Sequence, residues 1–382
     1  MDFSFTEEQE AVRELAGRIF EDKATPARVK EIEATSDRFD RELWADLARA
    51  NLLGLAVPEA SGGAGLGIME LCVLLEQQGR WVAPVPLLPT LVMGALAVAE
   101  FGTARQHETL LPRVVNGEVV VTAALAGPGA NDPAAATVTA TEISGGGWRL
   151  EGTRIAVPAA HVASVVLVPA RTDTDTLGLF LVPTVGLGLE RAETTNREIH
   201  SHLHLDGVEL GPDAMLGRPD GGQGVVAWIL DRALVGLCAL QVGVAEEAVR
   251  QAAAFSSARI QFGKPLSTFQ GVAHKAADAY IDTEAMRATL WQAAWRLSEG
   301  ADATSEVQVA KWWAAEGGQR VVHATQHLHG GIGADVDYPI HRYFLWGKQL
   351  EVTLGGASQQ LSRLGQLIAD AARQGRRVGV QA

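Results

Sequence analysis

The chain has 382 residues, of which 47% are hydrophobic and 20% charged, and its 45 acidic and 32 basic side chains give a formal charge of −13. This balance argues against a general binder of nucleic acid or anionic membranes, because both need clustered positive potential. A net negative charge is still compatible with a small anionic ligand that is held by local donors. The two cysteines, Cys72 and Cys238, stand among apolar residues, so neither a disulfide framework nor a cysteine-based zinc site is expected.

The first residues lack the basic-then-apolar pattern of a signal segment. The apolar stretch over residues 91–99 is far too short to span a bilayer. These two observations predict a soluble, cytoplasmic protein.

The first third of the chain is predicted to be helical. Thr6 and Gln9 have the spacing of a capping box, and apolar residues recur behind them at helical intervals as far as Phe20. Further helices are predicted over residues 41–51, 69–78 and 87–101. The Gly-rich segment 62–67 lies between two helices and not after a strand, so it is interpreted as a loop and not as a nucleotide-binding fingerprint.

Near Gly117 the pattern changes to short β-branched segments separated by Gly, Pro and Asn clusters, which predict a β-domain of sandwich or barrel type. Strands are predicted over residues 119–124, 135–141, 148–150, 162–168 and 177–182. Farther on, His200, His202 and His204 alternate, which places them on one face of a strand. No carboxylate or cysteine set accompanies them, so a solvated strand face is favoured over a metal site.

The helical period then returns, and long helices are predicted over residues 225–256, 272–298, 306–328 and 357–373. The sequence therefore predicts an α+β chain with an N-terminal helical domain over 1–117, a middle β-domain over 118–218 and a C-terminal four-helix bundle over 219–382. Strands and helices do not alternate, which argues against a Rossmann fold.

Two C-terminal elements carry groups suited to an anionic ligand. Arg259, Phe262 and Gln270 supply a guanidinium for phosphate oxygens, a flat aromatic ring and an amide within one interhelical segment. Taken alone, a connecting turn with a stray arginine explains them equally well. Farther along, Gly330 and Gly331 follow a predicted helix, where adjacent glycines allow a close approach between backbone and ligand.

The order and spacing of these motifs resemble the acyl-CoA dehydrogenase family. The matching elements are R-x-x-F-G-x-P-L-x-x-x-Q from Arg259, H-G-G-x-G from His329 and Y-P-x-x-R from Tyr338. The resemblance covers essentially the whole chain. It implies the family's helix–sheet–helix fold, FAD as cofactor, a CoA thioester as ligand and a tetramer built as a dimer of dimers. In that family a Glu removes the α-proton of the thioester while hydride leaves the β-carbon for the flavin.

The resemblance implies that one half of an FAD site is kept. In the family, the neighbouring subunit holds the diphosphate and adenine end of each FAD. The residues that match those contacts here are Arg259, Phe262, Gln270, Gly330 and Gly331. A family Gln is replaced by His327, which can still donate a hydrogen bond.

The half that grips the isoalloxazine within the same subunit does not match. The family loop T-E-P-G-A-G-S-D corresponds to L-A-G-P-G-A-N-D at residues 125–132, where Leu125 replaces a hydroxyl. The family segment W-I-T/S-N corresponds to Ala156, Val157, Pro158 and Ala159. Pro158 has neither a backbone donor nor a hydroxyl.

Neither position at which the family carries its catalytic Glu holds a proton acceptor. Leu354 stands at the first, in L-G-G where many members have E-G-T, and Ala233 stands at the second. A positioned general base contributes about 10²–10⁴-fold in rate. We therefore assign no catalytic residue and no metal ligand. Asp231 and Glu351 are the nearest carboxylates and the alternatives for a relocated base.

One half of the family's FAD site matches this sequence and the other half does not, and this pattern favours a heteromer. The leading hypothesis is the non-catalytic subunit of an α₂β₂ acyl-CoA dehydrogenase, whose partner subunit supplies the Glu and the isoalloxazine pocket. The L-G-G segment resembles such subunits, so a steroid or other bulky acyl-CoA is the expected substrate by analogy. Two alternatives stay open: a homomeric FAD-dependent dehydrogenase or oxidase with a relocated base, and a flavin-free acyl-CoA-binding or scaffold protein.

Overall fold

The N-terminal part of the chain is helical in the computed structural model, which describes residues 4–128, 137–172, 176–218 and 221–375. The helices are α1 (Glu7–Lys23), α2 (Pro26–Glu33), α3 (Arg41–Arg49), α4 (Ile68–Trp81), α5 (Leu96–Phe101) and α6 (Ala104–Val115). The predicted capping box is confirmed. The Thr6 hydroxyl accepts from the Gln9 backbone N–H at 3.2 Å, and the Gln9 side chain accepts from the Thr6 N–H at 3.1 Å.

A π-helix covers Leu88–Ala95 directly before α5, where the sequence predicts one continuous buried helix. All of this segment except Pro89 is buried, so its apolar run has no period from which the type of turn could be read. The π-helix packs against the following strand. A Cβ on Gly94 would lie only 2.9 Å from the Val121 carbonyl oxygen, which explains the glycine at this contact.

The predicted β-domain is confirmed as one eight-stranded mixed sheet. Its strands are β1 (Val121–Ala123), β2 (Val138–Ile143), β3 (Gly147–Pro158), β4 (Val165–Thr172), β5 (Leu177–Pro183), β6 (Gly188–Glu193), β7 (Ile199–Leu210) and β8 (Met215–Leu216). The order is β6-β7-β3-β2-β4-β5-β8, with β1 parallel beside β4. Inward-facing Val138, Leu150 and Leu203 belong to the core, where the Trp148 ring meets Phe180 edge-on at 5.3 Å.

Five helices and a short hairpin follow the sheet. They are α7 (Gly222–Ala258), β9 (Ile260–Gln261), β10 (Lys264–Pro265), α8 (Gln270–Ser298), α9 (Thr304–His329), α10 (Ile340–Val352) and α11 (Ala357–Arg373). The four predicted helices are all present, and α11 has the predicted bounds. Helix α10 was not predicted, because its first residues belong to the Y-P-x-x-R motif and were interpreted only as that motif. The predicted order of helices, sheet and helices is confirmed.

The internal contacts of the chain group it into two compact units. The helical unit consists of Met1–Val29, Cys72–Ala83 and Leu234–Ala382. The sheet unit consists of Lys30–Leu71 and Pro84–Ala233. The division into domains 1–117, 118–218 and 219–382 stays a prediction.

Among the described residues, only α7 is long and apolar enough to span a membrane. Its most apolar window is 72% buried inside the protein, which is typical of a core helix. The sequence analysis singled out residues 91–99 as the most apolar stretch and missed this longer one. Polar residues interrupt the apolar residues of α7 along its many turns, so the sequence shows no long uninterrupted apolar run there.

Helices α4 and α7 touch backbone to backbone inside the helical unit. A Cβ on Gly79 would lie 2.1 Å from the Leu240 carbonyl oxygen, and a Cβ on Gly243 would lie 1.9 Å from the Glu76 carbonyl oxygen. No side-chain rotation relieves either contact, because both partner atoms are backbone. The two glycines therefore set how closely the helices approach.

We expect Gly79→Ala and Gly243→Ala each to lower the free energy of unfolding by about 1–3 kcal/mol, because the added methyl group forces the helices apart. The matched control is Gly365→Ala on α11, where a Cβ has nothing within 4 Å. That change should instead raise stability by about 0.4–1 kcal/mol through the unfolded chain. Urea unfolding of the three variants is the measurement, and equal stability of all three would refute this account of the crossing.

Candidate cofactor-binding site

The predicted anion-binding segment after α7 folds as a tight hairpin. Gln261 pairs with Lys264 across a two-residue turn formed by Phe262 and Gly263. Both central residues have positive φ, 54° and 78°, which is the signature of a type I′ turn. Gly263 adopts this conformation freely, but an aromatic residue there is strained. Strain of this kind is found most often where a side chain must be presented to a ligand.

The turn presents its aromatic ring to the outside. Phe262 is 90% exposed and Ile260 is 60% exposed. From beneath, the Phe269 ring meets Phe262 at a centroid distance of 6.1 Å, and the Lys264 ammonium lies 4.4 Å from the Phe269 centroid. The hairpin is therefore a supported platform whose outer aromatic face is uncovered.

Arg259 and Gln270 flank this platform as available donors. Both residues are exposed, and neither side chain has a hydrogen bond or ion pair with the described part of the chain. The backbone of Arg259 is nevertheless fixed: its N–H donates to Phe255 at 2.8 Å, and its carbonyl accepts from Leu266 at 2.9 Å. The guanidinium and the amide are thus carried on a well-defined backbone without internal partners.

The glycine pair follows the C-terminus of α9. Gly330 has φ 63° and ψ −142°, a conformation that disfavours residues with a side chain. A Cβ built on Gly330 or Gly331 would meet nothing within 4 Å, so the backbone here faces open space. Such a turn lets a ligand approach the main chain closely.

A buried ring stack supports this turn from inside, and the sequence analysis missed it. His329 stacks on Phe255 at 4.7 Å and contacts Tyr338 at 5.4 Å. Its Nδ1 lies 2.8 Å from the Thr325 carbonyl oxygen. Burial lowers the pKa of His329, which favours the neutral ring, so Nδ1 carries the proton that the carbonyl accepts. The H-G-G motif therefore begins with a structural histidine.

His327 is tied to the first turns of α8. The Lys275 ammonium lies 2.8 Å from His327 Nδ1 and so connects the α9 C-terminus to the helix that begins with Gln270. A groove with a cavity volume of about 600 Å³ lies along these helices, lined by Lys275, Asp282 and Arg320 among others. Arg320 is neutralised there by two contacts of 2.7 Å to Asp282. Sequence reasoning missed Lys275 because only the fold brings it to His327.

Each of the six predicted cofactor residues therefore lies on the surface of the helical unit. The exposed set is Arg259, Phe262, Gln270, His327, Gly330 and Gly331. Its chemistry fits the diphosphate and a flat ring of FAD: one fixed cation, two neutral donors, an uncovered aromatic face and an open glycine backbone. Their assignment to FAD stays a prediction.

The predicted isoalloxazine segments lie in the sheet unit. Leu125 is buried, and residues 129–132 of its loop lie outside the described part of the chain. The β3 segment is bulged: Arg154 pairs with Leu203 and Val157 with Ser201, so Ala156 is left over with φ 49°. Pro158 offers its carbonyl oxygen to the Thr122 hydroxyl at 2.8 Å.

The three alternating histidines lie on one face of β7, as predicted, but that face is only partly solvated. His200 is buried, and His202 and His204 are half-buried. They have different partners. His202 Nδ1 accepts from the Ala156 N–H at 3.1 Å, whereas His204 and His200 lie 3.6 Å and 3.9 Å from separate glutamates. In the described residues no cluster of three or more His, Cys, Asp or Glu could hold a metal. The bulge lies on β3, where it supplies the Ala156 N–H to His202, and the alternation along β7 is kept.

At both positions predicted for the catalytic Glu, the side chain is a hydrocarbon. Leu354 follows α10 with φ 56°, and its carbonyl oxygen accepts from Gln360 at 3.2 Å. Ala233 is completely buried in α7. Neither side chain can take a proton from a substrate carbon.

The two alternative carboxylates have local partners. Glu351 forms an ion pair with Lys348 one turn earlier on α10. Asp231 is half-buried and interacts with the neighbouring Arg232, whose guanidinium lies 3.6 Å over the Trp228 ring. Burial lowers the pKa of Arg232 to about 10, and the Asp231 charge opposes that shift. Both carboxylates thus take part in structural interactions.

A buried lysine fixes the turn that carries Leu354. Lys311 is fully buried on α9 and donates to the carbonyl oxygens of Leu350 at 2.9 Å and Glu351 at 3.1 Å. These carbonyls belong to the last turn of α10. Carbonyl oxygens in the last turn have no hydrogen-bond partner within the helix, and the helix dipole favours a cation there. Burial lowers the pKa of Lys311 to about 8.

The sequence and the fold match known proteins over most of the chain. The acyl-CoA dehydrogenase N-terminal domain matches residues 6–118, and the C-terminal domain matches residues 220–368. Acyl-CoA dehydrogenase FadE27 of Mycobacterium tuberculosis is 38% identical over 380 residues, covering 97% of this chain and 99% of that protein.

Two solved structures show the same fold. The Tcur3481-Tcur3483 steroid ACAD aligns with a TM-score of 0.89 and 53% identity, over 96% of this chain and 99% of that chain. The ChsE4-ChsE5 complex from Mycobacterium tuberculosis aligns with a TM-score of 0.91 and 38% identity, over 97% and 99%. The helix–sheet–helix fold is that of FAD-binding oxidoreductases. The chain belongs to the acyl-CoA dehydrogenase family, as the sequence motifs predict.

The Lys311 contact predicts a pH dependence of stability. Between about pH 8 and the ordinary lysine value of 10.5, the folded chain binds fewer protons at this site than the unfolded chain. Stability therefore rises with pH over that window. We expect wild type to gain stability relative to Lys311→Met as pH rises from 8 to 10 in urea unfolding. Lys30→Met, at an exposed position, should follow wild type; a constant difference between wild type and Lys311→Met would contradict the assignment.

Proposed function

We propose that this chain is the non-catalytic subunit of a heteromeric, FAD-dependent acyl-CoA dehydrogenase. One observation carries the proposal: the side chains of Arg259 and Gln270, which suit a dinucleotide, are exposed without partners among the described residues, whereas the position of the family's base holds Leu354. The chain would lend its surface to an FAD whose flavin ring and catalytic Glu belong to a partner subunit. In the assembly, two such chains and two partners would form an α₂β₂ tetramer.

The residues of the helical unit would bind and orient the cofactor. Arg259 would neutralise the diphosphate, and Phe262 would cover one face of a ring of the cofactor. Gln270 and His327 would donate hydrogen bonds, and the backbone at Gly330 would approach the ligand without steric conflict. FAD, when bound, supplies the hydride acceptor for α,β-desaturation of a CoA thioester.

Substitutions in the sheet unit also support the proposal that the partner, and not this chain, holds the isoalloxazine. Pro158 cannot donate a hydrogen bond where the family places a hydroxyl, and Ala156 cannot cover a ring where the family places a tryptophan. The Ala156 N–H is already used by His202 at 3.1 Å. These substitutions leave the chain poorly equipped to hold an isoalloxazine of its own.

The substrate class and partner are proposed by similarity. The Tcur3481-Tcur3483 protein is a steroid ACAD, and ChsE4-ChsE5 is a complex, each named for two components. We therefore propose a steroid or other bulky acyl-CoA as substrate and a second acyl-CoA dehydrogenase subunit as partner. On the same similarity we propose a role in lipid and steroid degradation, and we propose a cytoplasmic location for the chain.

The decisive experiment is to measure FAD per chain and native mass for the protein alone and co-expressed with candidate partners. The proposal requires weak flavin retention alone and one FAD per two chains in a mixed tetramer. One FAD per chain in a homotetramer would instead support the homomeric alternative. A protein that stays colourless in every complex would support the flavin-free alternative.

Arg259→Ala should weaken FAD binding by the mixed complex about 10- to 100-fold, because a charge-assisted hydrogen bond to the diphosphate is lost. Flavin fluorescence during dilution gives the dissociation constant. The control is Arg373→Ala, which removes a highly exposed arginine that pairs with Asp370 on the same helix. Equal FAD affinity of the two variants would exclude Arg259 from the site.

Asp231→Asn and Glu351→Gln test the relocated base. In the mixed complex, both variants should retain turnover within about twofold of wild type, because the partner supplies the base. Loss of about 10²-fold or more in kcat in either variant, with FAD content unchanged, would identify that carboxylate as the base and overturn the proposal. Native mass of each variant controls for assembly.

A further inference from the structure

The contact between Lys275 and His327 stands apart from the ion pairs around it. Among the described residues, Lys275 has no carboxylate partner, although Asp278 and Asp282 follow on the same helix and line the same groove. Its ammonium instead lies 2.8 Å from His327 Nδ1. A lysine beside a ring nitrogen gains less than a lysine beside a carboxylate, so this placement calls for a functional explanation.

The contact fixes the hydrogen-bonding roles of the imidazole. An ammonium group has only donors, so Nδ1 must be the acceptor in this bond. A ring with one proton then carries it on Nε2, a nitrogen that has no partner among the described residues and belongs to an exposed side chain. The bond also limits rotation of the ring, which an exposed histidine would otherwise sample freely.

This arrangement matters because His327 stands where the acyl-CoA dehydrogenase family has a Gln. An amide NH₂ group always carries donors and can meet a ligand by rotating. A neutral imidazole has one donor and one acceptor, and it repels an anion if the wrong nitrogen faces outward. A histidine at this position therefore needs a neighbour that determines which edge is presented.

We infer that Lys275 is a positioning residue that holds His327 with its Nε2–H directed at the bound anionic cofactor. This inference rests on the proposed function, since the anion is the diphosphate end of FAD. Lys275 is not itself required to touch the cofactor. Its effect on FAD binding should therefore vanish when His327 is replaced by a side chain that needs no positioning.

The test compares two neutral replacements, so that the loss of the lysine charge is common to both. Lys275→Gln keeps a donor for Nδ1, and Lys275→Met removes it. FAD dissociation constants are measured by flavin fluorescence on the mixed complex, in the native background and in His327→Gln. In the native background, Lys275→Met should bind FAD about 3- to 10-fold more weakly than Lys275→Gln. In the His327→Gln background, the two should agree within about twofold.

The outcomes separate this inference from the function on which it rests. A Gln–Met difference that persists in His327→Gln, or is absent in both backgrounds, overturns the positioning role. Arg259→Ala in the same assay reports on the proposed function, because it removes the diphosphate contact directly. Weaker binding by Arg259→Ala with no Gln–Met difference would refute only the role of Lys275. Unchanged binding by Arg259→Ala would exclude Arg259 from the FAD site and so count against the proposed function.

Discussion

The constraint on which this end of the fold depends is a single buried ammonium. No carboxylate in the described part of the chain lies at hydrogen-bond distance from Lys311, so the carbonyl oxygens of Leu350 and Glu351 must offset the cost of its burial. Those oxygens end α10, and they can be reached only if α9 and α10 keep one fixed register. The turn after α10 is positioned by that register. Leu354 therefore has a defined left-handed conformation, and α11 begins at Ala357.

Local rules predicted the parts of the fold that depend on neighbouring residues. The Thr6–Gln9 capping box and the bounds of α11 are set by hydrogen bonds and apolar spacing within a few turns, and both are confirmed. The π-helix at Leu88–Ala95 could not be predicted, because a fully buried apolar run gives no period. Helix α10 was missed for the opposite reason: its residues were assigned to a motif before their spacing was considered.

The candidate site divides in the same way. The types of group at Arg259, Gln270 and Gly330 were predicted from sequence, because their chemistry is evident from the residues alone. The positive φ of Phe262 and the reach of Lys275 to His327 were not, because both are set by tertiary contacts. The three alternating histidines were likewise placed correctly on one strand face, but their contacts with Ala156 and two glutamates could not be predicted from the sequence. Sequence thus predicts which donors exist, and the fold decides which of them are already satisfied.

The exposed ring of Phe262 bears on the solubility and the cellular level of the chain. Phe262 is 90% exposed and Ile260, on the same hairpin, is 60% exposed, and contiguous apolar surface of this kind is an aggregation liability when it stays uncovered. In the proposed heteromer, this surface is protected only when the partner is synthesised at the same time and in equal amount. Under that proposal, surplus copies become substrates for quality-control proteases, and the cellular level of this chain follows the supply of the partner.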